Sequence, residues 1–162
     1  MRDEFQNRIN VLAVCTGNIC RSPMAEGILR QMLSANHDIT VSSAGTHALE
    51  GNPATEFAVI AAREHGIDIS RHRARMLTPD DIEHSRIILC MEPSHVEWVL
   101  AGNLSASGRI YSLAEFSGGP SKRKTIPDPY GCSLREYREC FHDIHACLSN
   151  FIASKQEYFI LR

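Results

Sequence analysis

The chain has 162 residues, of which 43% are hydrophobic and 22% charged, with a formal net charge of −2. One domain of this length buries about 70% of the surface of its unfolded chain, so we expect it to fold without a disulfide or a structural metal. The even mixture of acids and bases argues against a nucleic-acid-binding face and against a polybasic membrane anchor.

The first ten residues are charged and lack the apolar core of a secretory signal. No apolar run approaches the roughly 20 residues that span a bilayer. The six cysteines form no C-x-x-C pair, and the histidines fit no zinc pattern. We therefore expect one cytoplasmic domain over residues 1–162, with no membrane insertion, metal or cofactor.

The first predicted elements are a strand and a helix joined by a short loop. The apolar run Ile9–Val14 predicts a buried strand, which ends at the loop Cys15–Arg21. Ser22 and Pro23 predict a helix start, with Ser22 as the N-cap and Pro23 at the first helical position. Apolar residues at helical spacing through Leu33 predict one buried face for this helix.

The same unit repeats along the chain. Three further strands are predicted, over Ile39–Ala44, Arg86–Met91 and Arg109–Leu113. Four further helices are predicted: over Pro53–His65, from a cap at Thr78, from about Pro93, and from a capping box of Ser133 and Glu136. Strands that alternate with helices predict a three-layer α/β fold, with a four-stranded parallel sheet and helices on both faces.

The loop after the first strand carries the predicted chemistry. Arg21 follows Cys15 after five intervening residues, where a strand turns into a helix N-terminus that attracts anions through its free N–H groups. Gly17 permits backbone conformations that other residues avoid. The planar fork of Arg21 suits two phosphate oxygens. The loop is therefore predicted to hold a tetrahedral dianion above a reactive Cys15 sulfur, with Ser22 hydrogen-bonded to that sulfur and Asn18 tying the loop together.

The sequence resembles the low-molecular-weight protein tyrosine phosphatases. The residues that carry the resemblance are V-C-T-G-N-I-C-R-S-P-M-A-E (Val14–Glu26) and I-P-D-P-Y (Ile126–Tyr130). The segments Ser42–Gly45 and Ile87–His95 fit the same family. This resemblance covers nearly the whole chain.

The resemblance implies a role for each matching residue. Cys15 would attack phosphorus, Arg21 would bind the phosphoryl oxygens, and Asp128 would protonate the leaving phenolate. Tyr130 would form an aromatic wall for the substrate ring. The implied phosphate-binding residues are Thr16, Gly17, Asn18, Ile19, Cys20 and Ser22, and the implied supporting residues are Ser43 and His72. Cys20 would also be able to pair with Cys15 under oxidation, and the loop near His47–Glu50 is expected to shape the pocket mouth.

Three alternatives were weighed against tyrosine dephosphorylation. An arsenate reductase of this fold needs a closely spaced cysteine pair after the third strand, but no cysteine follows Cys90 until Cys132. Protein-arginine phosphatases tend to carry threonine where this chain has Ile19, an apolar residue better suited to an aromatic leaving group. A non-catalytic phosphotyrosine-binding module would be expected to lose the nucleophile or the acid, and this chain retains both.

The segments K-T-I-P-D-P-Y (Lys124–Tyr130) and M-E-P-S-H (Met91–His95) resemble the bacterial members of the family in particular. That resemblance implies a phosphotyrosine protein as the partner. In several bacterial members this partner is a cognate tyrosine kinase that controls exopolysaccharide production.

Overall fold

A computed structural model describes residues 8–120 and 123–159. Four strands form the sheet: β1 (Ile9–Cys15), β2 (Ile39–Gly45), β3 (Ile87–Cys90) and β4 (Ile110–Ser112). Six α-helices are described: α1 (Arg21–Met32), α2 (Glu56–Arg63), α3 (Pro79–His84), α4 (Pro93–Gly102), α5 (Leu134–Ser154) and α6 (Gln156–Phe159). Most of the expectation about the charged N-terminal residues falls on 1–7, outside the described residues.

The sheet is parallel throughout, in the order β2-β1-β3-β4. After β1 the chain passes to β2 on one side, and later to β3 on the other. In open parallel sheets the crevice at such a switch point, beyond the carboxyl ends of the strands, is where ligands bind. The loop after Cys15 therefore begins at the position in the sheet best suited to a binding site.

Helices cover both faces of the sheet, as predicted. On one face, Val11 and Ala13 of β1 pack in a core with α1, α2 and α5. On the other face, Leu12 and Val14 pack in a second core with Ile82 of α3 and Val99 of α4. Because alternate residues of a strand point to opposite faces, an apolar run such as β1 can contribute to both cores.

Two helix predictions were wrong at their boundaries. Helix α1 begins at Arg21, one residue before the predicted N-cap Ser22, and the hydroxyl of Ser22 contacts Cys15 instead of capping the helix. Helix α2 is confined to Glu56–Arg63, because Pro53 pairs with Arg73 in an isolated bridge. The cap at Thr78 of α3 and the capping box of α5 are present as predicted, and the Thr78 cap is itself a capping box with Asp81.

None of the helices in the described ranges is long and apolar enough to cross a bilayer.

Candidate active site

Cys15 is the last residue of β1, and its side chain is almost fully buried. The backbone N–H of Asn18 donates to Cys15 Sγ at 3.3 Å, and Ser22 Oγ lies 2.9 Å from the same sulfur. Ser22 Oγ accepts a hydrogen bond from the Asn18 amide at 2.8 Å, so its own O–H is free to point at the sulfur. Two donors aimed at Sγ stabilise negative charge on it.

Asn18 braces the loop through an unusual backbone conformation and a fully bonded side chain. Its φ of 55° lies in the left-handed region, whereas Gly17 has no positive φ, so the prediction that Gly17 supplies the special conformation was wrong. Asparagine tolerates this region better than most residues. Its Nδ2 donates to Ser22 and Ser43, and its Oδ1 accepts from the backbone N–H of Arg75 at 3.0 Å.

We predict that Asn18→Ala lowers the free energy of unfolding by about 3 kcal/mol, because three buried hydrogen bonds are lost at once. Asn18→Gly removes the same bonds but restores the left-handed conformation, so its loss should be smaller than that of Asn18→Ala by about 1 kcal/mol. Denaturant unfolding of both variants checks the prediction. A loss below about 1 kcal/mol in Asn18→Ala would show that the amide is not a brace.

The predicted supporting residues lie behind the loop. His72 Nε2 is 2.7 Å from the carbonyl oxygen of Asn18 and therefore carries a proton, since a carbonyl only accepts. The Ser43 hydroxyl donates to the carboxylate of Glu26, which lies 4.0 Å from His72 Nδ1. Glu26 was not singled out from the sequence, although it ends the motif that follows Cys15.

Gly45, at the end of β2, packs against the same loop. A Cβ atom at this position would lie 2.5 Å from the Thr16 carbonyl oxygen, so no larger residue fits without moving the loop. The need for this glycine arises from two chain segments about thirty residues apart, and no local pattern reveals it.

Arg21 is buried and held in place by two other parts of the chain. Its Nη1 donates to the carbonyl oxygen of Ile126 at 3.0 Å, and its Nη2 lies 3.2 Å from Glu92 Oε1 and 3.4 Å from Asp128 Oδ2. Its Nε is buried and finds no acceptor among the described residues. A guanidinium fixed in this way can offer Nε to a phosphoryl oxygen without rearranging.

Glu92 and His95 link Arg21 to the phosphate loop and were not predicted as site residues. His95 Nε2 lies 3.1 Å from Glu92 Oε1 and 2.9 Å from Thr16 Oγ1. Burial, aided by the neighbouring Arg21 charge, lowers the pKa of His95 to about 4, although Glu92 opposes this shift. His95 is therefore a neutral brace at physiological pH.

The lowered pKa of His95 predicts a pH dependence of stability. Between pH 6.5 and about 4 the unfolded chain protonates His95 while the folded protein does not, so this contribution is present above pH 6.5 and is lost as the pH falls. The slope is at most about 1.4 kcal/mol per pH unit for one proton. Urea unfolding at several pH values should show that the free energy of unfolding falls less steeply with falling pH in His95→Gln than in the unaltered protein. Parallel profiles for the two proteins would contradict the lowered pKa of His95.

A cavity of about 270 Å³ opens above the loop. It is lined by most of the predicted site residues: Cys15, Thr16, Gly17, Ile19, Cys20, Arg21, Asp128 and Tyr130. Three further residues complete the lining, His47 and Leu49 from the loop expected at the mouth, and Asn52. Asn18, Ser22, Ser43 and His72 do not line the cavity and act from behind the loop.

Asp128 and Tyr130 lie on the segment that faces the phosphate loop. The Asp128 carboxylate is half-exposed, and its Oδ1 accepts the backbone N–H of Tyr130 at 3.2 Å. Pro127 and Pro129 flank Asp128 and restrict the backbone on both sides. The Tyr130 side chain is largely exposed at the cavity edge, as a wall for an aromatic ring requires.

The Cys20 thiol belongs to a buried polar cluster beside the cavity. Its Sγ lies 3.3 Å from the Tyr137 hydroxyl and 3.4 Å from Thr55 Oγ1. Burial raises the pKa of Cys20. The described cysteines are all unpaired, so oxidative pairing of Cys20 with Cys15 stays a prediction.

Two other features of the described residues lie apart from this constellation. A cavity of about 420 Å³ borders the back of the loop and includes Ser43 and His72, but no cysteine is among its lining residues. Asp80, Glu83 and His84 form the one group in the described ranges close enough to share a metal ion. All three are exposed, and none is a predicted site residue.

Comparisons with known proteins identify similar sequences and similar structures. Residues 10–158 match the family model described as low molecular weight phosphotyrosine protein phosphatase. A probable low molecular weight protein-tyrosine-phosphatase, EpsP of Ralstonia nicotianae, is 38% identical over 83% of this chain and 87% of its own.

Two solved structures have the same fold. Wzb of Vibrio vulnificus, in complex with benzylphosphonate, superposes with a TM-score of 0.81 at 30% identity, covering 90% of this chain and 98% of that one. The YwlE arginine phosphatase of Geobacillus stearothermophilus also has a TM-score of 0.81, at 29% identity, covering 92% and 94%.

Proposed function

The chain belongs to the low molecular weight phosphotyrosine protein phosphatase family, and from this premise we propose that it hydrolyses phosphotyrosine in proteins through a covalent intermediate on Cys15. The observation that carries the proposal is the convergence of three groups on one cavity. Cys15 lies on its wall, Arg21 is fixed beside it, and Asp128 Oδ2 lies 3.4 Å from the guanidinium.

In the first step, Cys15 Sγ attacks phosphorus, an S–P bond forms, and the bond to the tyrosyl oxygen breaks. Arg21 and the loop N–H groups stabilise charge on the three equatorial oxygens, but not on the departing oxygen. Asp128, in its protonated form, donates its proton to that phenolate oxygen.

In the second step, Asp128 is a carboxylate and accepts a proton from a water molecule, which attacks phosphorus. The S–P bond breaks, inorganic phosphate is released, and Cys15 regains its negative charge. The Ser22 hydroxyl and the Asn18 N–H, already placed at the sulfur, stabilise the departing thiolate.

The test is hydrolysis of a phosphotyrosine peptide and of the same peptide with phosphoserine, both with EDTA present. We expect phosphotyrosine to be cleaved and phosphoserine to be cleaved at least about 100-fold more slowly, because a short side chain places its phosphate too far from the sulfur. Equal rates, or activity abolished by EDTA, would contradict the proposal.

A second candidate is phosphoarginine hydrolysis, which the similarity to the YwlE arginine phosphatase favours. Against it, Ile19 lines the cavity beside Gly17 and offers no polar contact to a guanidinium. Matched peptides with phosphotyrosine and phosphoarginine separate the two candidates. A higher kcat/KM for phosphoarginine would replace the first proposal.

The partner we propose is a phosphotyrosine protein in the cytoplasm, specifically an autophosphorylating bacterial tyrosine kinase linked to exopolysaccharide production. The support is resemblance to the bacterial members, including EpsP. No nucleic acid, metal or cofactor enters the proposed chemistry. Incubation with a purified, phosphorylated kinase of this class should remove its phosphotyrosine, and an unchanged phosphorylation level would reject this partner.

A further inference from the structure

Three of the five exposed large hydrophobic side chains in the described ranges gather at the cavity mouth. Leu49 and Tyr130 are 72% and 64% exposed, and both line the cavity. Trp98 is 45% exposed on α4, and its ring centroid lies 4.6 Å from that of His47, which also lines the cavity. Exposed apolar side chains grouped around a cavity mouth are typical of an interaction site.

The pair formed by His47 and Trp98 is anchored to the catalytic machinery. The backbone N–H of His47 donates to the Thr16 carbonyl oxygen at 2.9 Å, and its Nδ1 lies 3.0 Å from Thr46 Oγ1. Trp98 follows His95 by three residues on α4, so it stands on the same helix face, about 4.5 Å further along the axis. The backbone segments that carry the two rings are therefore fixed beside the phosphate loop before any substrate arrives, which limits the entropy lost on binding.

We propose that Trp98 and His47 form a subsite for an apolar side chain that flanks the phosphotyrosine of a protein substrate. This inference rests on the proposed function. The cavity of about 270 Å³ accommodates the phosphoryl group and the tyrosine ring, so neighbouring residues of the substrate pass over its mouth. At about 3.3 Å per residue in an extended peptide, a side chain one to three positions from the phosphotyrosine reaches beyond His47 to Trp98.

The chemistry of the rim selects an apolar occupant. The indole face and Leu49 both offer apolar surface, and covering it removes that surface from water. Glu97, exposed next to Trp98, stands on the same helix and would favour a basic side chain instead. Trp98 contacts His47, which lines the same cavity as the apolar residues Leu49 and Tyr130. Because these neighbours outnumber the single carboxylate, we expect an apolar side chain at the subsite.

The test uses phosphotyrosine peptides in which leucine, serine or lysine is placed in turn at each position from three before to three after the phosphotyrosine. At one position or more, leucine should raise kcat/KM about tenfold over serine. In Trp98→Ala this ratio should fall to about one, and Trp98→Phe should retain part of it. The kcat/KM of each variant on the peptides is divided by its kcat/KM on an aryl phosphate, which has no flanking residues.

Leu104→Ala is the matched control, because Leu104 is 79% exposed and does not line the cavity. It should keep the full leucine preference. A preference that survives Trp98→Ala, its loss in Leu104→Ala as well, or a preference for lysine would overturn the subsite while leaving the phosphatase proposal intact. Aryl phosphate cleavage without cleavage of any peptide would reject the phosphotyrosine protein substrate itself, and the subsite with it.

Discussion

Cys15→Ser should show no measurable turnover of an aryl phosphate or of a phosphotyrosine peptide, a loss of at least about 10⁴-fold in kcat. The serine hydroxyl fits the space of the thiol but is a far weaker nucleophile without a base to activate it. Within residues 8–120 and 123–159, no His or carboxylate hydrogen-bonds Cys15 Sγ, whose partners are Asn18 and Ser22. Steady-state kinetics at matched protein concentration check the loss.

Phosphopeptide binding should survive in Cys15→Ser, because Arg21 and the loop N–H groups are unchanged. Cys132→Ser is the control, since that half-buried thiol lies outside the cavity lining and its contacts with the Tyr130 carbonyl oxygen and the Glu136 carboxylate suit a hydroxyl as well, so kcat should stay within about twofold. Turnover that persists in Cys15→Ser would remove Cys15 from the mechanism. A native protein that binds phosphotyrosine but never cleaves it would favour the non-catalytic binding module.

Asp128→Asn should lower kcat/KM on phosphotyrosine, which reports the first chemical step, by about 100-fold or more, because the amide cannot give a proton to the departing oxygen. The loss should depend on the leaving group. A nitrated phenol departs as a stable anion and needs little protonation, so the kcat/KM of its phosphate ester should fall only about tenfold. Kinetics on a series of aryl phosphates check this relation.

The control for Asp128→Asn is Asp143→Asn, which removes a carboxylate that pairs with Arg123 on the surface. It should leave kcat unchanged with every leaving group. An Asp128→Asn defect in kcat/KM of the same size for all leaving groups would mean that Asp128 does not act as the general acid. Because Asp128 also lies 3.4 Å from Arg21, a uniform defect would point to weakened phosphate binding instead.

Local patterns predicted most of the fold. The continuous apolar run of β1, the helix caps of α3 and α5, and the cysteine-to-arginine spacing each lie within a few residues of sequence. Such features are controlled by neighbouring backbone and side-chain chemistry, which a single sequence displays directly. The parallel sheet with helices on both faces followed from the order of these elements.

Local patterns gave wrong helix boundaries where a residue hydrogen-bonds to another part of the chain. Ser22 has the chemistry of an N-cap, but its hydroxyl contacts Cys15, and the helix begins at Arg21, two residues before the predicted first position Pro23. The segment before α2 stays extended because the Thr55 N–H bonds to the Ile19 carbonyl oxygen. In both cases tertiary contacts of the phosphate loop override helix propensity.

The contacts of Glu92 and His95 could not be found from the sequence, although both residues lie in the segment Met91–His95 that resembles the bacterial family members. Glu92 is 71 positions from Arg21, and His95 is 79 positions from Thr16. Their contact depends on β3 lying next to β1, which places both strand ends at one edge of the sheet. The placement of Asp128 near Arg21 also depends on contacts between distant parts of the chain. Asp128 was predicted as a site residue only because its segment resembles a family motif.

The most direct test of the central claim is to trap the covalent intermediate. Asp128→Asn should be mixed with a dinitrophenyl phosphate, whose leaving group needs no acid, and quenched within the first turnover. Without Asp128 to activate water, the phosphoryl group should accumulate on the enzyme, and mass spectrometry of the digested protein should find it on Cys15. A phosphoryl group on another residue, or turnover with no adduct at any quench time, would contradict the cysteinyl-phosphate mechanism.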